Sequence, residues 1–273
     1  MLDFEELDRR STPIGEVILR RRVEPTLDVE VYEVKVGDEY LMSSLFTVAE
    51  IALARLSLAA VEGDRLDVVV GGLGLGYTAR AALQDPRVSS VHVVEALEAV
   101  IDWHERRLVP LGHALVSDER CQFVRGDFFQ MVAEGVLCGS EERGHDGWNA
   151  VVVDIDHSPR HHLHPRHARF YTRDGVSEVA ACLRPGGVFG LWSDDAPDDA
   201  FVADLEAAFA SAEAHVVTFP NFYTGERWSA TVYVAAIAPA SRPAAEGHPS
   251  AHAEHRPERD EGPPQGDGPS SRG

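Results

Sequence analysis

The chain is short of positive charge: 25 Lys and Arg stand against 45 Asp and Glu, a formal net charge of −20 over 273 residues. A surface of that sign repels phosphate backbones, so a nucleic-acid substrate is not expected. The same charge keeps a protein soluble and draws in cations, polyamines among them. Long apolar runs are also missing. No stretch reaches the ~18 to 20 residues of a membrane span, and no membrane association is expected. The first residues, MLDFEELDRR, lack the basic-then-apolar order of a signal peptide. Cysteine is scarce. Cys121, Cys138 and Cys182 have no metal-type spacing. They read as thiols in a reduced cytoplasmic setting, with Cys121 and Cys182 buried and unreactive.

Pro, Gly, Ser and charge dominate from Pro239 onward, with almost no large apolar residues. Such composition cannot bury enough surface to offset the entropy of ordering, so 239–273 is expected to be a disordered tail. Residues 1–46 read as a small β-domain. Gly15–Arg22 and Val29–Val36 alternate apolar and polar side chains, and Glu39–Ser43 makes a third strand. Residues 47–238 read as an α/β domain that opens with a helix over Thr47–Ala60. Short apolar strands (Leu66–Val70, Ser90–Val94, Gln122–Val124, Ala150–Val153, Val188–Trp192) then alternate with helical stretches (Thr78–Leu83, Leu97–Leu108, Phe128–Val136, Arg173–Cys182). Continuous apolar strands between helices imply a Rossmann-like, mostly parallel sheet covered on both faces. The runs His215–Phe219 and Thr231–Ile237 suggest a closing antiparallel hairpin at one edge.

The first strand of that domain breaks into VVVGGLGLGYTAR, with Gly72, Gly74 and Gly76 ahead of a helix. A glycine turn lets a ligand approach the backbone and leaves helix N–H groups facing it. The next strand ends at Glu95, where a carboxylate can hold a ribose diol. The third ends at Asp127, placed to accept from an adenine amino group, with Phe128 beside it. The fourth ends at Asp154. Four successive strand ends thus put a glycine loop and three carboxylates on one rim. A dinucleotide fingerprint needs G-x-G-x-x-G, but Ala79 takes its third glycine position in the match that starts at Gly74.

The compact G-x-G-x-G with Asp127 resembles class I S-adenosylmethionine-dependent transferases of the methyltransferase fold. Taken along Thr12 to Ala236, the segments STPIGEVILRRR, GDEYLMSS, GGLGLG, VVEALEAVIDWH, GDFF, WNAVVVDIDHSP, LRPGGVFGLWSDD and FPNFYTG resemble the spermidine synthase family in their order. That resemblance implies a small N-terminal β-domain ahead of a methyltransferase-like domain. It implies transfer of an aminopropyl group from decarboxylated S-adenosylmethionine to a small amine, of the polyamine class, and a homodimer. The departures are specific. Val70 stands where related transferases carry an acidic residue. Gly74 replaces the aspartate that holds the donor's amino group. Ser43 and Ser44 replace Gln and Glu after the matching Asp38, Glu39 and Tyr40. The DSxDP motif becomes Asp154-Ile155-Asp156-His157 with Pro159 one place late, and Trp192 and Asp194 replace a Gln-x-Glu pair. Phe222 stands where the family has tyrosine.

A sulfonium donor is already activated, so the protein must desolvate the acceptor, align it and remove its proton. Asp154 is the residue placed to hold an ammonium and accept that proton. Tyr40, Asp156, His157, Tyr171 and Trp192 are the expected acceptor contacts, with Phe170 in the core. The histidine-rich stretch His157–His167 lacks helical or strand spacing and carries two prolines. It reads as a loop lining a polar pocket rather than as a metal site. Two other functions fit the same motifs: a small-molecule methyltransferase using S-adenosylmethionine, and a non-catalytic nucleoside-binding scaffold.

Overall fold

The chain forms two sheets in succession, each set by its pattern of apolar residues. The structure, a computed structural model, describes residues 4–12, 14–37, 39–138 and 147–240. The first sheet is antiparallel, in the order β1 (Phe4–Thr12), β2 (Gly15–Glu24), β3 (Val29–Val36), β4 (Glu39–Ser43). Val17, Leu19 and Val34 on alternating positions of β2 and β3 are fully buried, while the outer face carries Arg and Glu. Helix α1 (Val48–Ala59) follows.

The second sheet has seven strands: β5 (Leu66–Gly71), β6 (Val88–Glu95), β7 (Cys121–Arg125), β8 (Trp148–Val153), β9 (Leu183–Ser193), β10 (Ser211–Pro220) and β11 (Arg227–Ala236). Their spatial order is β10-β11-β9-β8-β5-β6-β7. The five strands from β9 to β7 are parallel, with Val68 opposite Val91 on one side and Ala150 on the other. Strand β11 runs antiparallel to β9 and to β10 and closes the edge as the alternation predicts. Helices α2 (Tyr77–Leu83), α3 (Glu98–Glu105), α4 (Gly112–Val116), α5 (Phe128–Ala133), α6 (Arg173–Ala181) and α7 (Asp199–Ala208) connect the strands. The architecture is the methyltransferase-type α/β sheet with a small N-terminal antiparallel sheet.

The valine runs are buried on both faces. Val68, Val70, Ala150 and Val152 join one core cluster with α1, α2, α3 and the first sheet. Val69, Val151 and Val153 join another with α5, α6 and α7. The chain leaves β5 toward β6 and β7, then returns to β8 on the other side. The C-terminal ends of β5 and β8 therefore flank the switch point where open α/β sheets bind ligands.

Three elements go beyond the sequence reading. Strand β1 is a charged edge strand, FEELDRRST, with no apolar alternation, and it pairs with β2 through Arg–Glu contacts. Helices α4 and α7 are also additional, and α7 is capped by Asp198, which accepts from two backbone N–H groups. The cysteine expectation is corrected. Cys138 and Cys182 form a disulfide across 44 residues of sequence, and Cys121 is the one free thiol among the described residues. Cys182 is buried as expected, but α6 and the turn after α5 bring Cys138 to it. Residues 241–273 and Asp38 lie outside the described residues. Among the described residues, no helix is long and apolar enough to cross a membrane.

Candidate active site

Strand β5 ends in a loop whose glycines have little alternative. Gly72, Gly74 and Gly76 all have positive φ (94°, 49° and 91°). A Cβ on Gly72 would stand 2.2 Å from the backbone oxygen of Asp154, and one on Gly76 would stand 2.5 Å from Leu115. The loop is thereby pressed against the end of β8 and held from below. His104 on α3 bonds the Gly74 carbonyl oxygen through Nε2 at 2.9 Å. Burial pulls that imidazole down to about 4, so it is neutral near pH 7 and donates this bond.

Glu95 closes β6 and clasps the same loop. One carboxylate oxygen accepts from the Leu73 N–H at 3.0 Å and the other from the Leu97 N–H at 2.8 Å. Burial raises its pKa, and these backbone donors work against the rise. Asp127 caps α5 by accepting from the Gln130 N–H at 3.1 Å. Phe128 is buried with its ring against Gly71.

Asp154 follows β8. Its N–H donates to the Gly71 carbonyl at 2.8 Å, and its carboxylate accepts the Thr78 hydroxyl at 2.6 Å. Burial pushes Asp154 up to about 6, with the Thr78 bond opposing. Glu50, in the first turn of α1, faces the same space. Burial first, then the charges of Asp154 and Asp194, push it up to about 8. The Asp154 charge disfavours ionisation of Glu50, and two carboxyls so placed can share a proton or a cation.

The glycine loop, Glu50, Glu95, Asp127, Phe128 and Asp154 line one cavity of about 590 Å³, closed on one side by Tyr40, Leu41, Met42 and Ser43 of β4, with His104 and Thr78 supporting its wall from behind. Of the residues singled out from the sequence, Gly72, Gly74, Gly76, Glu95, Asp127, Phe128 and Asp154 meet in its wall, as do Tyr40, His157 and Trp192. Asp156 and Tyr171 do not. Asp156 is buried behind the wall, where it accepts from the Leu163 N–H at 2.7 Å, bonds His167 Nδ1 at 2.9 Å and accepts from the Tyr171 hydroxyl at 3.0 Å. Tyr171 is buried rather than at the rim and stacks on His162. These two pin the histidine loop in place, while His164, Arg166 and His167 reach the cavity. Phe170 is buried in the core as expected. Among the described residues, no group of three or more His, Cys, Asp or Glu side chains is arranged to hold a metal ion.

Glu50, Thr78, Met42, Phe46 and Trp228 were not found from the sequence. Glu50 had a signal: a lone carboxylate among Val48, Ala49, Ile51 and Ala52. The others carry none: Met42, Phe46 and Trp228 depend on how the first sheet and β11 fold back over the loop, and Thr78 on how α2 meets the end of β8.

No family model matches the chain. It is 28% identical over 140 residues to polyamine aminopropyltransferase 2 from Hyperthermus butylicus, covering 50% of this chain and 40% of that one. It is 25% identical over 181 residues to putrescine N-methyltransferase 3 from Nicotiana tabacum, covering 63% of this chain and 43% of that one. The chain thus spans less than half the length of these curated relatives. In structure it is similar to the spermidine synthase from Thermotoga maritima, with TM-score 0.63 and 16% identity over 86% of this chain and 74% of that one. A spermidine synthase in complex with the transition-state analogue AdoDATO gives TM-score 0.64 and 15% identity, over 86% and 75%. The resemblance carried by the motifs is therefore found again in sequence and in fold.

Proposed function

We propose that the chain is a spermidine-synthase-like transferase that moves an alkyl group from S-adenosylmethionine, or its decarboxylated form, to a small amine. One observation carries the reading. The glycine loop, Glu95, Asp127 and Asp154 line a single cavity in the order of their strands, with Glu50 as a second carboxylate beside Asp154. The two curated relatives are named for aminopropyl transfer to a polyamine and methyl transfer to putrescine, which supports both the donor class and the amine.

The donor would bring an activated carbon on a sulfonium. The residues of this chain supply the rest. Asp127 and Glu95 accept from the adenine amino group and the ribose hydroxyls, and the loop N–H groups and His104 fix the backbone between them. Asp154 attracts the acceptor ammonium out of water, and that cation in turn favours ionisation of Glu50 beside it. Asp154, raised to about 6, takes one proton from it near neutral pH. The free amine nitrogen then forms a bond to the donor carbon as the carbon–sulfur bond breaks, its electron pair staying on sulfur.

Isothermal calorimetry with the two donor forms, followed by turnover with an amine panel, tests this. Asp154→Asn should cost ~100-fold or more in kcat while donor affinity stays within about twofold. Binding of neither donor would end the reading. Methyl transfer is the second reading, and a specific observation favours it. Met42 Sδ lies 3.0 Å from where a Cβ on Gly74 would stand, so no carboxylate occupies the place from which the family holds the donor's amino group. A non-catalytic scaffold would bind nucleoside and turn over no amine. The same reading includes a homodimer, checked by light scattering, and excludes nucleic acid and membrane partners. It also includes a cytoplasmic setting, checked by cell fractionation.

A further inference from the structure

The sheet order gives the cavity a direction. Asp127, Glu95 and the glycine loop stand at the ends of β7, β6 and β5, the nucleoside side in the reading above, on which this inference rests. Asp154, Trp192, Asp194 and Trp228 continue along β8, β9 and β11 toward the acceptor side. The acceptor-side carboxylates gather at one place. Glu50 feels both Asp154 and Asp194. Asp194, at the exit of β9, has its N–H tied to the His157 carbonyl at 2.7 Å.

Past that anionic point the wall turns apolar. Phe46 and Trp192 pack against Ala49, Phe219 and Ala230. The Phe46 ring lies 5.4 Å from the Trp228 ring and 6.3 Å from that of Phe222. Met42 adds a thioether on the loop side. Beyond Asp154, Glu50 and Asp194, the polar groups on the β4 side are used elsewhere. Ser44 spends its hydroxyl on the Tyr32 N–H at 2.9 Å, and the Tyr40 hydroxyl is held by the Arg20 guanidinium.

We propose that the acceptor is an amine with one ammonium group, held at Glu50 and Asp154, on an apolar ring-sized tail that lies against Met42, Phe46, Trp192 and Trp228. A linear diamine would carry its second ammonium past that anionic point to a wall of rings and a thioether that supplies no carboxylate. An aromatic ring there would gain area burial and ring–ring contact instead.

The test is calorimetric titration of the full-length protein, saturated with S-adenosylhomocysteine or 5′-methylthioadenosine, with 2-phenylethylamine and with putrescine. 2-Phenylethylamine should bind at least ~10-fold more tightly. Trp228→Ala should weaken 2-phenylethylamine about fivefold or more and leave putrescine unchanged, Trp228→Phe should restore it, and Asp154→Asn should weaken both. Putrescine binding equally or more tightly, binding of neither amine, or indifference of 2-phenylethylamine to Trp228→Ala would overturn the proposal. If neither nucleoside binds but the amine preference holds without it, the transferase reading fails and the acceptor class stands.

Discussion

Glu50 and Asp154 show what single residues contribute here. In the folded chain both carboxyls keep their protons to about 8 and about 6, whereas an unfolded chain would release them near 4.5 and 3.8. The folded state therefore binds more protons between pH 4 and 8, and stability declines as pH rises through that window. Glu50→Gln should flatten the fall between pH 6 and 8 and stabilise the protein at pH 8 by on the order of 2 kcal/mol, read as Tm across a pH series. His104 acts in the opposite sense. Held down to about 4 from 6.5, it withdraws stability as pH drops through that interval. Gly76→Ala is the harsher change. It puts a Cβ into Leu115 at a backbone angle that L-residues avoid, and should cost about 3 kcal/mol in urea unfolding together with nucleoside affinity. A neutral outcome would mean that the loop relaxes and that the glycine is not required.

At the scale of elements, the loop between β10 and β11 is tied to the first sheet. Tyr223 donates its hydroxyl to Glu24 at 2.9 Å and accepts from Arg22 at 3.0 Å, while Arg22 pairs with both Glu24 and Glu33. The Arg22 bond pulls Glu24 down to about 2. Phe46, Tyr223 and Trp228 thus form an aromatic wall held by polar pins. Tyr223→Phe should cost about 1 kcal/mol and raise amide exchange in residues 221–226, with KM for the acceptor rising and kcat kept. Unchanged exchange would show that the pins do not hold the loop. The same scale explains which elements could be read from the sequence. Strands β5 and β8 each carry three successive valines, and β6 carries four valines in eight residues, the mark of central strands covered by helices. Strand β1 has no such mark, because only Leu7 reaches the core while its charged side chains pair with one another and with β2. Helix α7 does carry readable signals, the Asp198 cap and buried Phe201 and Leu205 at helical spacing.

For the molecule as a whole, the Cys138–Cys182 bond joins the segment after α5 to the start of β9. Closing a 44-residue separation restricts the unfolded chain by about 4 kcal/mol in the loop-entropy account. Reduction, or the Cys138→Ala, Cys182→Ala double variant, should lower urea stability by a sizeable part of that. An unaltered midpoint would show that the bond adds nothing. The switch point sits where β5 meets β8, so the glycine loop and Asp154 share one rim.

Sequence alone determined the parallel sheet, the closing hairpin, the glycine turn and the carboxylates at three strand ends, because periodicity and strand termini are local properties of the chain. Tertiary structure alone decided that Glu50 stands beside Asp154, that Met42 covers Gly74, that Asp156 and Tyr171 turn inward to hold the histidine loop, and that two cysteines meet. Each of those depends on surfaces far apart in the chain packing together, and a side chain's neighbours across such a contact leave no periodic trace in its own segment.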